Sequence, residues 1–95
     1  MTFEEATKFF KVDQEVEGTV ICKAHFGDFI ELVPDQQFNV LLEIIVMENL
    51  TPEIYRTGKY SPLGSKVKAL IGGFRKNDDY RSEIRLYKGI IEIPE

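Results

Sequence analysis

Two phenylalanines three residues apart, Phe26 and Phe29, are the side chains whose type and spacing most invite a chemical reading. An aromatic face accepts any flat π-system, and stacking one nucleobase on it contributes ~1–3 kcal/mol. Further along the chain stand Lys66, Lys68, Arg75, Lys76, Arg81, Arg85 and Lys88, which would supply positive charge for a phosphate backbone or be no more than solvated surface. Tyr60 and Tyr80, in expected loops, can stack on a ligand or pack. His25, beside Phe26, reads as a base or phosphate contact or as a solvated histidine. Side chains for covalent chemistry are scarce. Cys22 and His25 are each the sole residue of their type, so no Ser/His/Asp set, no Cys/His set and no metal-ligand spacing can be assembled. Carboxylates such as Glu43 and Glu83 are only surface candidates for acid–base work. The expectation is a non-catalytic protein with no cofactor and no metal.

The bulk properties permit such a binding module. At 95 residues the chain is one domain's worth, and 43% hydrophobic with 29% charged residues is the balance of an ordinary globular protein. No apolar run approaches the length of a membrane span, and Glu4 and Glu5 stand where a secretory signal would be basic. The lone cysteine fits a reducing cytoplasm. The net charge of −4 hides an asymmetry. Residues 1–55 carry three basic and eleven acidic side chains, whereas Arg56 to Lys88 carry nine basic and three acidic. A polyanion responds to the potential within roughly 8 Å, not to the total. Whether the two signs stay apart depends on how the strands interleave.

Period and punctuation then give the elements that must position these residues. Thr2-Phe3-Glu4-Glu5 is a capping box, and Phe3, Ala6, Phe9 and Phe10 follow at near-helical spacing, so a short helix is expected over 3–10. Too short to hold alone, it is expected to plug or bracket a barrel end. A first strand is expected over Val12–Cys22, with Val16, Gly18, Val20 and Cys22 on one parity and Cys22 in the core. Gly18 would mark a bulge or strong coiling. A second strand over Phe26–Val33 places Ile30 and Leu32 inward and Phe29 and Glu31 outward. Phe38–Met47 reads as a third strand, apolar on both parities apart from Glu43. Thr51, Pro52 and Gly58 are the cap, first turn and stop of a short helix. Lys66–Phe74 is the fourth strand, with Lys66 and Lys68 outward and a bulge at Gly72-Gly73. Arg75–Arg81 is a polar hairpin, and Glu83–Tyr87 is the fifth strand. Five short strands with a helical piece between the third and fourth is the order of an all-β, five-stranded antiparallel OB barrel.

Four stretches carry a family resemblance. Val12-Asp13-Gln14-Glu15-Val16-Glu17-Gly18-Thr19-Val20 resembles the opening V-G-x-x-V-x-G-x-V of the S1 RNA-binding domain. Phe26-Gly27-Asp28-Phe29-Ile30-Glu31-Leu32 is similar to its F-G-A-F-V-x-L. Gly64-Ser65-Lys66-Val67-Lys68-Ala69-Leu70-Ile71 and Glu83-Ile84-Arg85-Leu86 resemble its G-D-x-V-x-x-x-V and R-I-R-L. The resemblance divides the chain into a helical extension (1–11), an S1-like OB domain (12–88) and a tail or edge strand (89–95). It implies a surface for single-stranded RNA, with the ribosome or RNA-processing proteins as company. It assigns to that surface Phe26 and Phe29 as stacking aromatics and Asp79 as the loop aspartate; Lys66, Lys68, Arg81 and Arg85 join them as basic contacts on the strength of their charge and position. Two positions depart from the pattern. Glu43 stands where the family has a histidine, and Glu83 where it has the first arginine. Asp28 replaces a small apolar residue, which places it at the strand's mouth rather than in the core.

Two functions follow. The first is low-specificity binding of single-stranded RNA by stacking and phosphate contacts. The second is a barrel without RNA affinity that acts as a protein-interaction or inhibitory module. In that second reading the N-terminal helix, a protein partner or a second copy covers the third strand's spare apolar face.

Overall fold

A computed structural model describes all 95 residues, Met1–Glu95. Helix α1 (Phe3–Phe9) begins at the capping box: Glu5 N–H donates to Thr2 Oγ1 at 3.2 Å, and Thr2 N–H donates to Glu5 Oε1 at 2.9 Å. Ala6 and Phe10 are buried in the main core. Phe3 meets the Phe74 ring edge-on at 6.3 Å, and Met1 joins the loop around Asp35 and Gln37 through backbone hydrogen bonds. The helix therefore covers the barrel end where the second strand leaves and the fourth finishes.

The strands are β1 (Glu15–Ala24), β2 (Gly27–Glu31), β3 (Asn39–Glu43), β4 (Lys66–Arg75) and β5 (Glu83–Ile90). They form a closed barrel in the order β1-β2-β3-β5-β4. Four ladders are antiparallel. The closing ladder, β3 with β5, is parallel and aligns Asn39, Val40 and Leu41 with Glu83, Ile84 and Arg85. Parallel pairing needs a long crossover, and the chain supplies one through helix α2 (Pro52–Thr57) and β4. Thr51 caps α2, accepting from Ile54 N–H at 3.2 Å, and Gly58 ends it at φ 69°, a left-handed conformation that glycine adopts without a Cβ clash. The fold is an OB-like all-β barrel with two short helices. Inward residues of alternate parity fill it, among them Val20, Ile30, Val40, Leu42, Val67, Ala69, Ile71, Ile84 and Leu86.

Several expectations are corrected. β1 starts at Glu15, because Asp13 adopts a left-handed φ of 71° and turns the chain at that point. Gly18 is not at a bulge. It lies where β1 crosses tightly against β2, so that a Cβ would come within 2.4 Å of Ile30 Cγ2. The bulge falls later: pairing runs Val20↔Ile30 and then Cys22↔Phe29, leaving Ile21 extra. That extra residue reverses the parity, so Cys22 is exposed rather than buried. The third strand ends at Glu43, because Ile44 N–H is taken by the Phe26 carbonyl and the chain enters a 3₁₀ turn, Ile44–Val46. Its spare apolar face is consequently small: Leu41 and Leu42 are buried, Ile44 packs against the core, and Ile45 alone stands out at 86% exposure. The bulge at Gly72-Gly73 is present, as a register shift between Ile71 and Gly73. β5 runs on to Ile90, and residues 91–95 form no strand, although Ile91 is buried and Asn49 clamps its backbone with two hydrogen bonds.

Asp28 is also not at an open mouth. It is 1% exposed, pairs with Lys23 Nζ at 2.7 Å, and accepts from Ser61 Oγ at 2.5 Å. Lys23 donates in turn to the Ser61 carbonyl at 2.9 Å and lies 4.8 Å from the centre of the Tyr60 ring. A buried carboxylate needs such partners, and these tie the loop before β4 to the β1–β2 hairpin.

No helix is long and apolar enough to cross a membrane.

Candidate nucleic-acid interface

The outer faces of β2, β3 and β5 carry the candidate site because the ladder registers bring alternate residues into rows. Phe29 lies opposite Leu41, which lies opposite Arg85, which lies opposite Gly73. The next row is Asn39, Glu83 and Arg75. Phe26 precedes Gly27, whose Cβ would stand 2.4 Å from the Leu42 carbonyl; this close approach sets β2 tightly on β3 and seats Phe26 beside Phe29. The two rings meet edge to face at 6.0 Å and 84°. Phe26 is 42% exposed, Phe29 is half-buried, and His25 touches the far side of Phe26 at 5.3 Å while remaining exposed.

Phe26 and Phe29 line a concavity of about 350 Å³ together with Asn39, Leu41, Arg75, Tyr80, Arg81, Glu83 and Arg85, and His25 stays outside it. A second concavity of about 230 Å³ continues from it past Ile21 and Gln36, sharing Phe29, Asn39 and Arg81. The hairpin that carries Arg81 is held in place: Asn77 N–H donates to Ser82 Oγ, Asn77 Nδ2 donates to the Arg81 carbonyl, and Arg81 Nη2 donates to the Gln36 carbonyl at 3.0 Å. Tyr80 is 80% exposed at the rim.

The two acidic departures from the S1-like pattern have a local answer. Arg85 Nη1 donates to Glu43 Oε1 at 3.0 Å, and Arg85 Nε donates to Glu83 Oε2 at 2.9 Å. One guanidinium thus holds both carboxylates, and Arg85 is not an open phosphate contact. Arg75 and Arg81 form no ion pair with any carboxylate, so the available positive charge lies with them.

Of the seven residues read from the sequence as contacts, Phe26, Phe29, Arg81 and Arg85 come together here. Lys66 and Lys68 do not. They lie on the far part of β4, where Lys68 pairs across from Glu17 and Lys66 donates to Thr19 Oγ1 at 3.0 Å. Interleaving β1 with β4 therefore mixes the two charge signs on that flank. Asp79 is exposed in the hairpin and does not line the concavity. Tyr60 stacks on Tyr55 at 6.1 Å beneath Lys23, and desolvation pushes its phenol pKa up, so it packs rather than offering a free face. Asn39 and Leu41 were not legible as site residues. Leu41 is the site's floor, and only the β2–β3–β5 register reveals that this outward leucine is covered.

No group of three or more His, Cys, Asp or Glu side chains is arranged to hold a metal ion. No protein-family model matches the chain, and no curated protein matches it.

Proposed function

We propose that this protein is a non-catalytic module of the S1-like kind that binds single-stranded RNA across the outer faces of β2, β3 and β5. The observation that carries the reading is the concavity in which two adjoining phenylalanines face two unpaired arginines. A base stacks on Phe26 or Phe29 while Arg75 and Arg81 meet the neighbouring phosphates, which is the pairing of aromatic platform and cationic groove that single strands require. The lone cysteine fits a reducing cytoplasm, where RNA and its processing proteins would be the partners.

An NMR titration of labelled protein with a short mixed-sequence RNA tests this. Shifts at Phe26, Phe29, Leu41, Tyr80 and Arg81, with Lys66 and Lys68 silent, are the expected result. Silence at low salt, where phosphate contacts are strongest, overturns it. The reading would then pass to a protein-interaction or inhibitory barrel, favoured by the exposed Ile45 beside Met47, Leu50, Pro52 and Tyr55.

A further inference from the structure

We infer that Glu83 makes this site selective for bases that carry an exocyclic amino group, so that it holds cytosine in preference to uracil. The inference rests on the RNA-binding reading and deepens it. Glu83 lines the same concavity as Phe26 and Phe29, and its side chain is 18% exposed. One of its oxygens, Oε2, is engaged by Arg85 Nε at 2.9 Å. The other, Oε1, has no hydrogen-bond partner. No buried side-chain oxygen in the molecule lacks a partner, so this free oxygen is open to solvent. Arg85 is in turn held on its other side by Glu43, at 3.0 Å. The guanidinium acts as a positioning residue: it fixes the Glu83 carboxylate and leaves one acceptor free on a side chain that lines the same concavity as the two phenylalanines.

An ionised carboxylate accepts hydrogen bonds and donates none. Cytosine offers its N4 amino group to such an acceptor, adenine its N6, and guanine its N1 and N2 hydrogens. Uracil offers only N3–H, set between two carbonyl oxygens whose lone pairs meet the approaching carboxylate. A site built around an acceptor rejects the partner lacking the donor, because the acceptor is then desolvated and left unpaired. Cytosine and uracil are of equal size, so comparing them isolates the base edge from the stacking surface.

The test uses the full chain and fluorescently labelled octamers of cytidylate and uridylate, with affinity read by anisotropy. Oligocytidylate should bind about tenfold more tightly than oligouridylate, the scale of one well-placed base-edge contact. In Glu83→Gln the carboxamide offers a donor as well as an acceptor, so the ratio should fall to about twofold or less while both affinities rise with the loss of a negative charge. Glu43→Gln removes the same charge from the other side of Arg85 but keeps an amide oxygen to accept from Nη1, so Arg85 stays anchored and the ratio should be kept. Equal, measurable binding of the two octamers by the unaltered protein overturns the selectivity and leaves RNA binding standing. No binding of either octamer overturns the RNA reading itself. A preference that survives Glu83→Gln, or that disappears in Glu43→Gln, overturns the assignment to Glu83. The unaltered protein's ratio needs no variant to fold, and a dispersed amide spectrum establishes that each variant does.

Discussion

At the scale of single residues, the buried charge of Asp28 is the most consequential side chain outside the candidate site. Its carboxylate has two partners, Lys23 and Ser61, and almost no contact with water. Removing one partner of a buried pair costs more than the pair contributes, because the surviving charge is left uncompensated. Lys23 is 34% exposed, which moderates the effect by letting water reach the vacated position. Lys23→Met should destabilise the barrel by about 1–3 kcal/mol, and Asp28→Asn, which keeps the hydrogen bond to Ser61 without the charge, by less. Midpoints of urea unfolding at constant m-value check the order of the two variants. A Lys23→Met protein as stable as the original would show that Asp28 is solvated in solution.

At the scale of the element, α1 contributes Ala6 and Phe10 to the core, yet at seven residues it has little intrinsic helical stability. Its capping box supplies part of what propensity cannot. Thr2→Ala should cost about 1 kcal/mol in global stability, measured by thermal or urea unfolding. Glu5 adds a pH dependence of known sign. Hydrogen bonds from Thr2 favour the ionised carboxylate and hold its pKa below the ordinary 4.5. A depressed folded-state pKa contributes stability that is complete above the unfolded value and is lost as pH falls through the folded one. The stability gap between the original protein and Glu5→Gln should therefore be complete near pH 7 and shrink as pH falls from the unfolded-state value of about 4.3 through the lower folded-state one. A gap that stays constant across that range would mean the Glu5 hydrogen bond does not form in solution.

At the scale of the whole molecule, the barrel redistributes the charge that the linear chain separates. The acid-rich first half and base-rich second half meet along β1 and β4, where Glu17 lies across from Lys68. Within the concavity, the arginines left without an ion pair are Arg75 and Arg81. With two guanidinium groups to place on phosphates, the logarithm of RNA affinity should fall with the logarithm of salt at a slope of about −1.4, at ~0.7 per single-strand phosphate. Replacing Arg75 and Arg81 together by Gln should flatten that slope towards zero, whereas replacing Lys66 and Lys68 should leave it almost unchanged. A slope that responds instead to Lys66 and Lys68 would move the RNA path to the opposite flank of the barrel.

Wherever the deciding interactions are local, the amino-acid sequence determined the outcome by itself. The capping box at Thr2 and Glu5, the Thr51–Pro52–Gly58 start and stop, and the alternation of Val67, Ala69 and Ile71 each depend on neighbours a few residues away. That the chain forms five strands, and where each falls along it, follows largely from the same short-range periodicity. Tertiary structure decided what depends on partners distant in the chain. The extra residue at Ile21 reverses parity and exposes Cys22, and no pattern within β1 announces it. Asp28 is buried because Ser61, 33 residues away, meets it. Glu43 and Glu83, which by type alone look hostile to a polyanion, are held by one arginine that the β3–β5 ladder brings between them. Local chemistry can be read along the chain, but register and charge pairing are set by which strands the closed barrel makes neighbours.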